Sequence, residues 1–143
     1  MSDITQIRAL TDRAELTDLV ARHSVWLDER RYAESDQLFT DDVVVTSPRG
    51  QARGTDELIA LARKGHDAYT RTVHNKSNLV IELAGDTATV RTHDLAVFVV
   101  DEKTEAIAAA IHRYGARRTA DGWRFDRLEI TPIALTGAIA RAV

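Results

Sequence analysis

Apolar residues recur at spacings of three and four through the first third of the chain. Ile4, Ile7, Leu10 and Ala14 lead into Leu16, Leu19, Val20, His23, Trp26 and Leu27, one stripe of an amphipathic helix. The period breaks around Asp28–Arg31. A short second helix is expected from Tyr32 to Phe39, with Leu38 and Phe39 turned inward and Asp41–Asp42 closing it. Val43–Val44–Val45–Thr46 then reads as a short β-branched strand. Ser47–Pro48–Arg49–Gly50 is turn chemistry, because proline fixes φ and glycine admits positive φ. A third helix starts at Gly54–Thr55–Asp56–Glu57–Leu58. Thr55 is placed to cap it, and two carboxylates sit at the positive end of its dipole. Leu58, Leu61 and Ala62 give it a buried side to about Lys64.

Period two takes over in the second half. Leu79–Val80–Ile81–Glu82–Leu83 runs to a Gly85–Asp86 turn, and long strands follow over Ala88 to Val100 and Ala106 to Thr119. An Asp121–Gly122 turn leads to Trp123–Ile130. Helices first and antiparallel strands after give an α+β fold with the helices on one face of the sheet. If Ala88 and Val90 face those helices, so do Thr92, Asp94, Ala96 and Phe98, while His93 joins Leu95, Val97 and Val99 outside. Period therefore favours Asp94 as a site residue and chemistry favours His93, and a bulge would exchange them. On the next strand His112 and Tyr114 share a face and enter or miss any pocket together. The alternative for that pair is a place on a dimer interface. The outer apolar row Leu95, Val97, Val99 suggests a partner surface, with a twofold homodimer as the simplest solution.

Composition narrows the chemistry. With 143 residues and 44% hydrophobic content, one domain over 1–143 can bury a core without a staple. There is no cysteine, which excludes disulfides, thiol nucleophiles and Cys-ligated metals. A net charge of −3, with basic residues clustered only as the pairs Arg30–Arg31 and Arg117–Arg118, argues against nucleic acid as a partner. No apolar run approaches the ~18 residues that span a membrane. Met1–Ser2–Asp3 opens no signal-peptide pattern, so a cytoplasmic location is expected. The histidines lack metal-ligand spacing, and no phosphate loop or G-x-S-x-G is present. No metal or other cofactor is expected. Histidine, carboxylate and tyrosine remain as candidate catalysts.

Several strings, in order along nearly the whole chain, resemble the SnoaL-like branch of the nuclear transport factor 2-like superfamily. They are Trp26–Leu27–Asp28, Leu38–Phe39–Thr40–Asp41–Asp42–Val43, Gly54–Thr55–Asp56–Glu57–Leu58 and His74 with Asn78. Gly85–Asp86–Thr87–Ala88–Thr89–Val90 and Asp121–Gly122–Trp123–Arg124–Phe125 complete the set. That branch is similar to scytalone dehydratase, ketosteroid isomerase and polyketide cyclases. The resemblance implies a cone-shaped curved sheet packed against three helices, with an internal pocket. It also implies that Asp28 and His74 face that pocket as a general acid–base pair, Asp28 fixing the tautomer of His74. The purely structural alternatives are a capping Asp28 and an exposed His74. His23 stands where isomerase-like members hold a donating tyrosine, which makes it a third catalytic candidate, with His23, Tyr114 or His112 as the second donor to the substrate oxygen, or else it is a satisfied core histidine. Ser47 stands where those members hold the catalytic aspartate, which speaks against their mechanism. Trp26, Tyr69, Phe98 and Trp123 read as core or pocket wall, and Ile133–Val143 as a cover for the pocket mouth, a partner contact or a frayed end. The expected function is a cofactor-independent lyase or isomerase for a small hydrophobic cyclic carbonyl compound. Trp26, Asp94, His93, His112, Tyr114, Tyr69 and Phe98 are its expected substrate contacts. The alternative is a binding or protein-interaction domain of the same shape.

Overall fold

The computed structural model describes residues 2–102 and 105–136. Helix α1 spans Asp3–Asp28, and the Ser2 hydroxyl caps it by accepting the Thr5 N–H at 3.2 Å. Only the later part of the expected stripe is covered, from Leu16 through Leu27. Ile4, Ile7 and Leu10 are 80%, 63% and 67% exposed, and Ala14 is exposed as well. The helix meets the sheet from Asp12 onward. Asp12 is buried under two 2.9 Å bonds from Arg118 and one of 3.1 Å from Trp123 Nε1. Periodicity identifies residues that share a side of a helix; it does not say how far the sheet extends beneath them.

A 3-10 helix over Tyr32–Gln37 replaces the expected second helix and turns Leu38 and Phe39 into the core. Strand β1 runs Phe39–Ser47, taking in the aspartates expected to end that helix, and pairs with a short β2, Gly50–Arg53. The intervening turn is held by Ser47, whose hydroxyl accepts from the Arg49 N–H and donates to the Gly50 carbonyl, both at 3.2 Å. Helix α2 spans Gly54–His66. Thr55 does not cap it. The Glu57 carboxylate reaches back instead and accepts the Arg53 N–H at 2.7 Å.

Strands β3 (Arg71–Ala84), β4 (Thr87–Val99), β5 (Glu105–Thr119) and β6 (Gly122–Leu135) complete one six-stranded sheet. Its order is β2-β1-β6-β5-β4-β3, antiparallel except where β1 lies parallel to β6. The sheet is curved and unclosed. Bulges bend it at Ser77–Val80 of β3 and at two places along β5–β6. Asn78 takes the strained position of the first with φ 56°, a conformation asparagine tolerates. Pro132 continues β6 past its expected end at Ile130, sitting beside the bulge where a missing N–H is accommodated. Gly115 marks the other bulge, where a Cβ would lie 2.9 Å from Asp126 and 3.2 Å from Arg127.

The expected alternation on β4 holds through its length. Ala88, Val90, Thr92, Asp94, Ala96 and Phe98 are all buried, and Leu95 is exposed. The start of β3 inverts the usual pattern. Thr72, His74 and the Lys76 side chain are buried while Val73 faces out. The expected strand Leu79–Leu83 is only the later part of β3, which already begins at Arg71. Leu16, Val43 and Phe125 sit fully buried at the centre of a core that also holds Trp26, Tyr114 and Trp123. Of the expected C-terminal cover Ile133–Val143, residues 133–136 are described and the rest lie outside the described residues. No described helix is long and apolar enough to cross a membrane.

Candidate active site

Between the helices and the inner face of the sheet lies a cavity of about 160 Å³. Leu27, Leu58 and Leu61 form its helical side, and Ala96, Phe98 and Ile130 part of its sheet side. Into this mostly apolar space reach His23, His66, His74, Asp94 and His112. Every one of these polar groups is at least nine-tenths buried.

Asp28 is the last residue of α1, where the negative end of the helix dipole disfavours a carboxylate. Three donors from β3 compensate. His74 Nδ1 lies 2.6 Å from Oδ1, the His74 backbone N–H donates to Oδ2 at 3.0 Å, and the Thr72 hydroxyl donates to Oδ1 at 2.9 Å. Burial works to raise the Asp28 pKa, but the bonds from His74 and Thr72 outweigh it and hold the carboxyl below its ordinary range. Arg30, at φ 55°, bonds the Leu27 carbonyl at 2.6 Å, the Thr72 hydroxyl at 3.3 Å and the His66 carbonyl at 2.9 Å. One guanidinium thus fastens the ends of both helices to β3. His74 is neither exposed nor in a loop.

Sequence reasoning missed His66. It ends α2, bonds the Ala62 carbonyl through Nδ1 at 2.8 Å, and places Nε2 3.3 Å from His74 Nε2. Burial, then the neighbouring His74, Arg30 and Arg49, lower its pKa to about 4. The i,i+4 relation to Ala62 is legible in the sequence. The approach to His74 is not, because it depends on how α2 lies across the sheet.

Deeper in the fold runs a second polar chain. Lys76 Nζ donates to Asp94 Oδ1 at 2.7 Å, and Asp94 Oδ2 lies 3.6 Å from His112 Nε2. His112 Nδ1 stands 3.4 Å from the Tyr114 hydroxyl, which is 2.6 Å from His23 Nδ1. Burial lowers the Lys76 pKa against the pull of Asp94, and burial together with Lys76 drives His23 and His112 far below their usual value. Burial also raises Tyr114 well above its own. Lys76 was another residue that sequence reasoning passed over. Its signal was the inverted alternation of β3, with polar side chains on the core face.

The remaining candidates divide. Trp26 lines the cavity and ties its indole N–H to Ser35 at 3.0 Å. Phe98 lines it too, its ring centroid 5.7 Å from His66 and 5.6 Å from His74. Tyr114 stands behind His23 and His112 rather than in the wall. Tyr69 packs on Phe98 at 4.8 Å, outside the lining. His93 is a correction: it lies on the outer face, bonded to Asn78 at 3.1 Å. No bulge falls on β4 between Ala88 and Phe98 to turn it inward. Among the described residues no three histidine or carboxylate groups converge as a metal site.

A family model described as a SnoaL-like domain matches residues 8–129. No curated protein matches the chain. Among solved structures, a type 2 hexachlorocyclohexane dehydrochlorinase superimposes with TM-score 0.81 at 22% identity, over 92% of this chain and 91% of that one. A putative scytalone dehydratase from Novosphingobium aromaticivorans gives 0.80 at 24% identity, over 90% and 88%. A nuclear transport factor 2-like protein with a cystatin-like fold, from the same organism, gives 0.81 at 26% identity, over 97% and 92%.

Proposed function

The chain belongs to the SnoaL-like domain family, and from that premise we propose a cofactor-independent lyase or isomerase acting on a small, largely apolar cyclic carbonyl compound. The observation that carries this reading is the Asp28–His74 pair, 2.6 Å apart, with the buried His74 ring in the wall of a mostly apolar cavity. The cavity volume, about 160 Å³, is close to the ~150 Å³ that holds a benzene ring in an otherwise packed protein. A single ring fits.

In this reading His74 Nε2 removes a proton from the carbon beside the carbonyl. The C–H electron pair becomes the C=C bond of an enolate. Either a leaving group on the next carbon then departs with its bonding pair, or the proton returns at another carbon. Asp28 keeps the His74 Nδ1 proton in place and balances the charge that develops on the ring. Asp94 and His112 stand farther along the inner face and would orient the polar end of the substrate. Two of the structural neighbours, a hexachlorocyclohexane dehydrochlorinase and a putative scytalone dehydratase, carry names of elimination reactions, which supports elimination over isomerisation.

Deuterium exchange from solvent into the α-carbons of a panel of cyclohexanones, followed by proton NMR, tests the proton-transfer step without knowledge of the product. The protein should accelerate exchange, and Asp28→Asn and His74→Ala should each lower it by ~10²–10⁴-fold. Equal exchange in the parent and both variants would remove the assignment. Ring ketones that bind tightly and never exchange would identify a binding domain instead.

A further inference from the structure

His66 and His74 each have one ring nitrogen committed. His66 Nδ1 lies 2.8 Å from the Ala62 carbonyl, which only accepts, so that nitrogen carries a proton. His74 Nδ1 lies 2.6 Å from the Asp28 carboxylate, so it carries one as well. In each ring, if neutral, Nε2 would then be a bare lone pair. Yet the two Nε2 atoms face each other at 3.3 Å. Two lone pairs form no hydrogen bond, and the gap leaves no room for a bridging water. A single proton between them resolves the contact.

The surroundings decide which ring carries the charge. Asp28 accepts from His74 on one side, and Thr72 and the His74 backbone hold that carboxylate in place. His66, by contrast, meets Arg30 from the end of α1, Arg49 from the β1–β2 turn and His74 from β3, each of which disfavours a charge on its ring. Phe98 of β4 closes over both rings. Farther along β3, Lys76 is neutralised by Asp94.

We infer that His66 is a positioning residue of this site, accepting a hydrogen bond from Nε2 of a protonated His74, so that the two rings share one proton. The inference rests on reading Asp28–His74 as the pair that moves protons, and it adds a condition to that reading. His74 serves as a base only once the shared proton has left Nε2. A neutral acceptor holds that proton on Nε2 of the resting site.

The test is imidazole NMR on the full chain with ¹⁵N-labelled histidine and no substrate. At pH 7 one N–H proton should connect Nε2 of His74 to Nε2 of His66, with a scalar coupling across the hydrogen bond. His66→Phe should abolish the coupling, and the doubly protonated His74 signature should be lost at a lower pH than in the parent. His66→Gln keeps an acceptor on that wall and should restore part of the difference. On any cyclohexanone that the protein exchanges, the acid limb of the rate–pH profile should move the same way in His66→Phe. Two unprotonated Nε2 atoms at pH 7 in the parent would overturn the inference. So would a His74 signature that does not move in His66→Phe. The NMR result does not depend on turnover, so it separates failure of this inference from failure of the proposed function.

Discussion

His23, His66 and His112 are held as neutral rings inside the protein, and their burial ties stability to pH. For His66 the ordinary value of 6.5 falls to about 4 on folding. Between those limits the unfolded chain binds a proton that the folded chain does not. Stability is therefore complete above pH 6.5 and lost as the pH falls toward 4. The loss from His66 alone is on the order of 2 kcal/mol between pH 6.5 and 5. His23 and His112 act in the same direction. Urea melts at pH 7, 6 and 5 should show a falling midpoint, with a shallower fall in His66→Phe. A midpoint that stays flat over this range would contradict neutral burial of these rings. Asp12, through its bonds from Arg118, and Asp28 act in a lower window. Their folded values lie below 3.8, so what they contribute is present above that value and lost beneath it.

At the scale of elements, α1 is fastened at two places of different character. Asp28 at its end joins β3 through polar contacts that belong to the site. Asp12 joins β5 and β6 far from the cavity, through Arg118 and Trp123, and the Arg118 guanidinium also stacks 4.7 Å from the Trp123 ring. Asp12→Ala would leave a buried indole N–H and part of a guanidinium without an acceptor, at a cost of about 2–3 kcal/mol. Thermal unfolding should show the lower stability while cyclohexanone exchange stays near the parent rate. A variant that lost exchange but not stability would mean that Asp12 takes part in the site. The sequence read this helix well as a helix and poorly as a surface. Ile4, Ile7 and Leu10 continue the apolar stripe but have nothing to pack against among the described residues. On β3 the error ran the other way. Residues Thr72, His74 and Lys76 are polar, so a hydrophobicity pattern places no strand there, although these side chains are the ones turned inward.

For the whole molecule, the outer face of the sheet carries its own expectation. Val73, Leu95 and Ile107 are 59%, 51% and 43% exposed. Register aligns Val73 with Val97 and Val97 with Ile107 across β3, β4 and β5, with Leu95 one step along the same face. A row of apolar side chains across three strands is a surface that a second copy of the chain would cover through a twofold axis. Sedimentation at micromolar concentration should give about twice the 15.9 kDa of one chain, and Leu95→Glu should halve it. A parent protein that sediments at 15.9 kDa would remove the dimer. Because the cavity opens on the opposite face of the sheet, Leu95→Glu should leave cyclohexanone exchange intact.

The sequence by itself determined the two long helices and the main strands in order (though not β2), the inward face of β4 and the pairing of Asp28 with His74. The first two follow from local rules, a period of 3.6 or 2 and the turn residues between, which act over a few residues and leave a trace in composition. The third came from ordered resemblance along the chain. Tertiary structure alone decided that His66 meets His74, that Lys76 neutralises Asp94 and that Tyr114 bridges His23 and His112. Those contacts join residues brought together by the crossing of α2 over a bent sheet. The bend itself comes from bulges at Ser77–Val80 and along β5–β6, where one extra residue changes direction without changing the pattern of hydrophobic and polar positions. The composition left histidine, carboxylate and tyrosine as the available chemistry. The fold decided which of them share a proton.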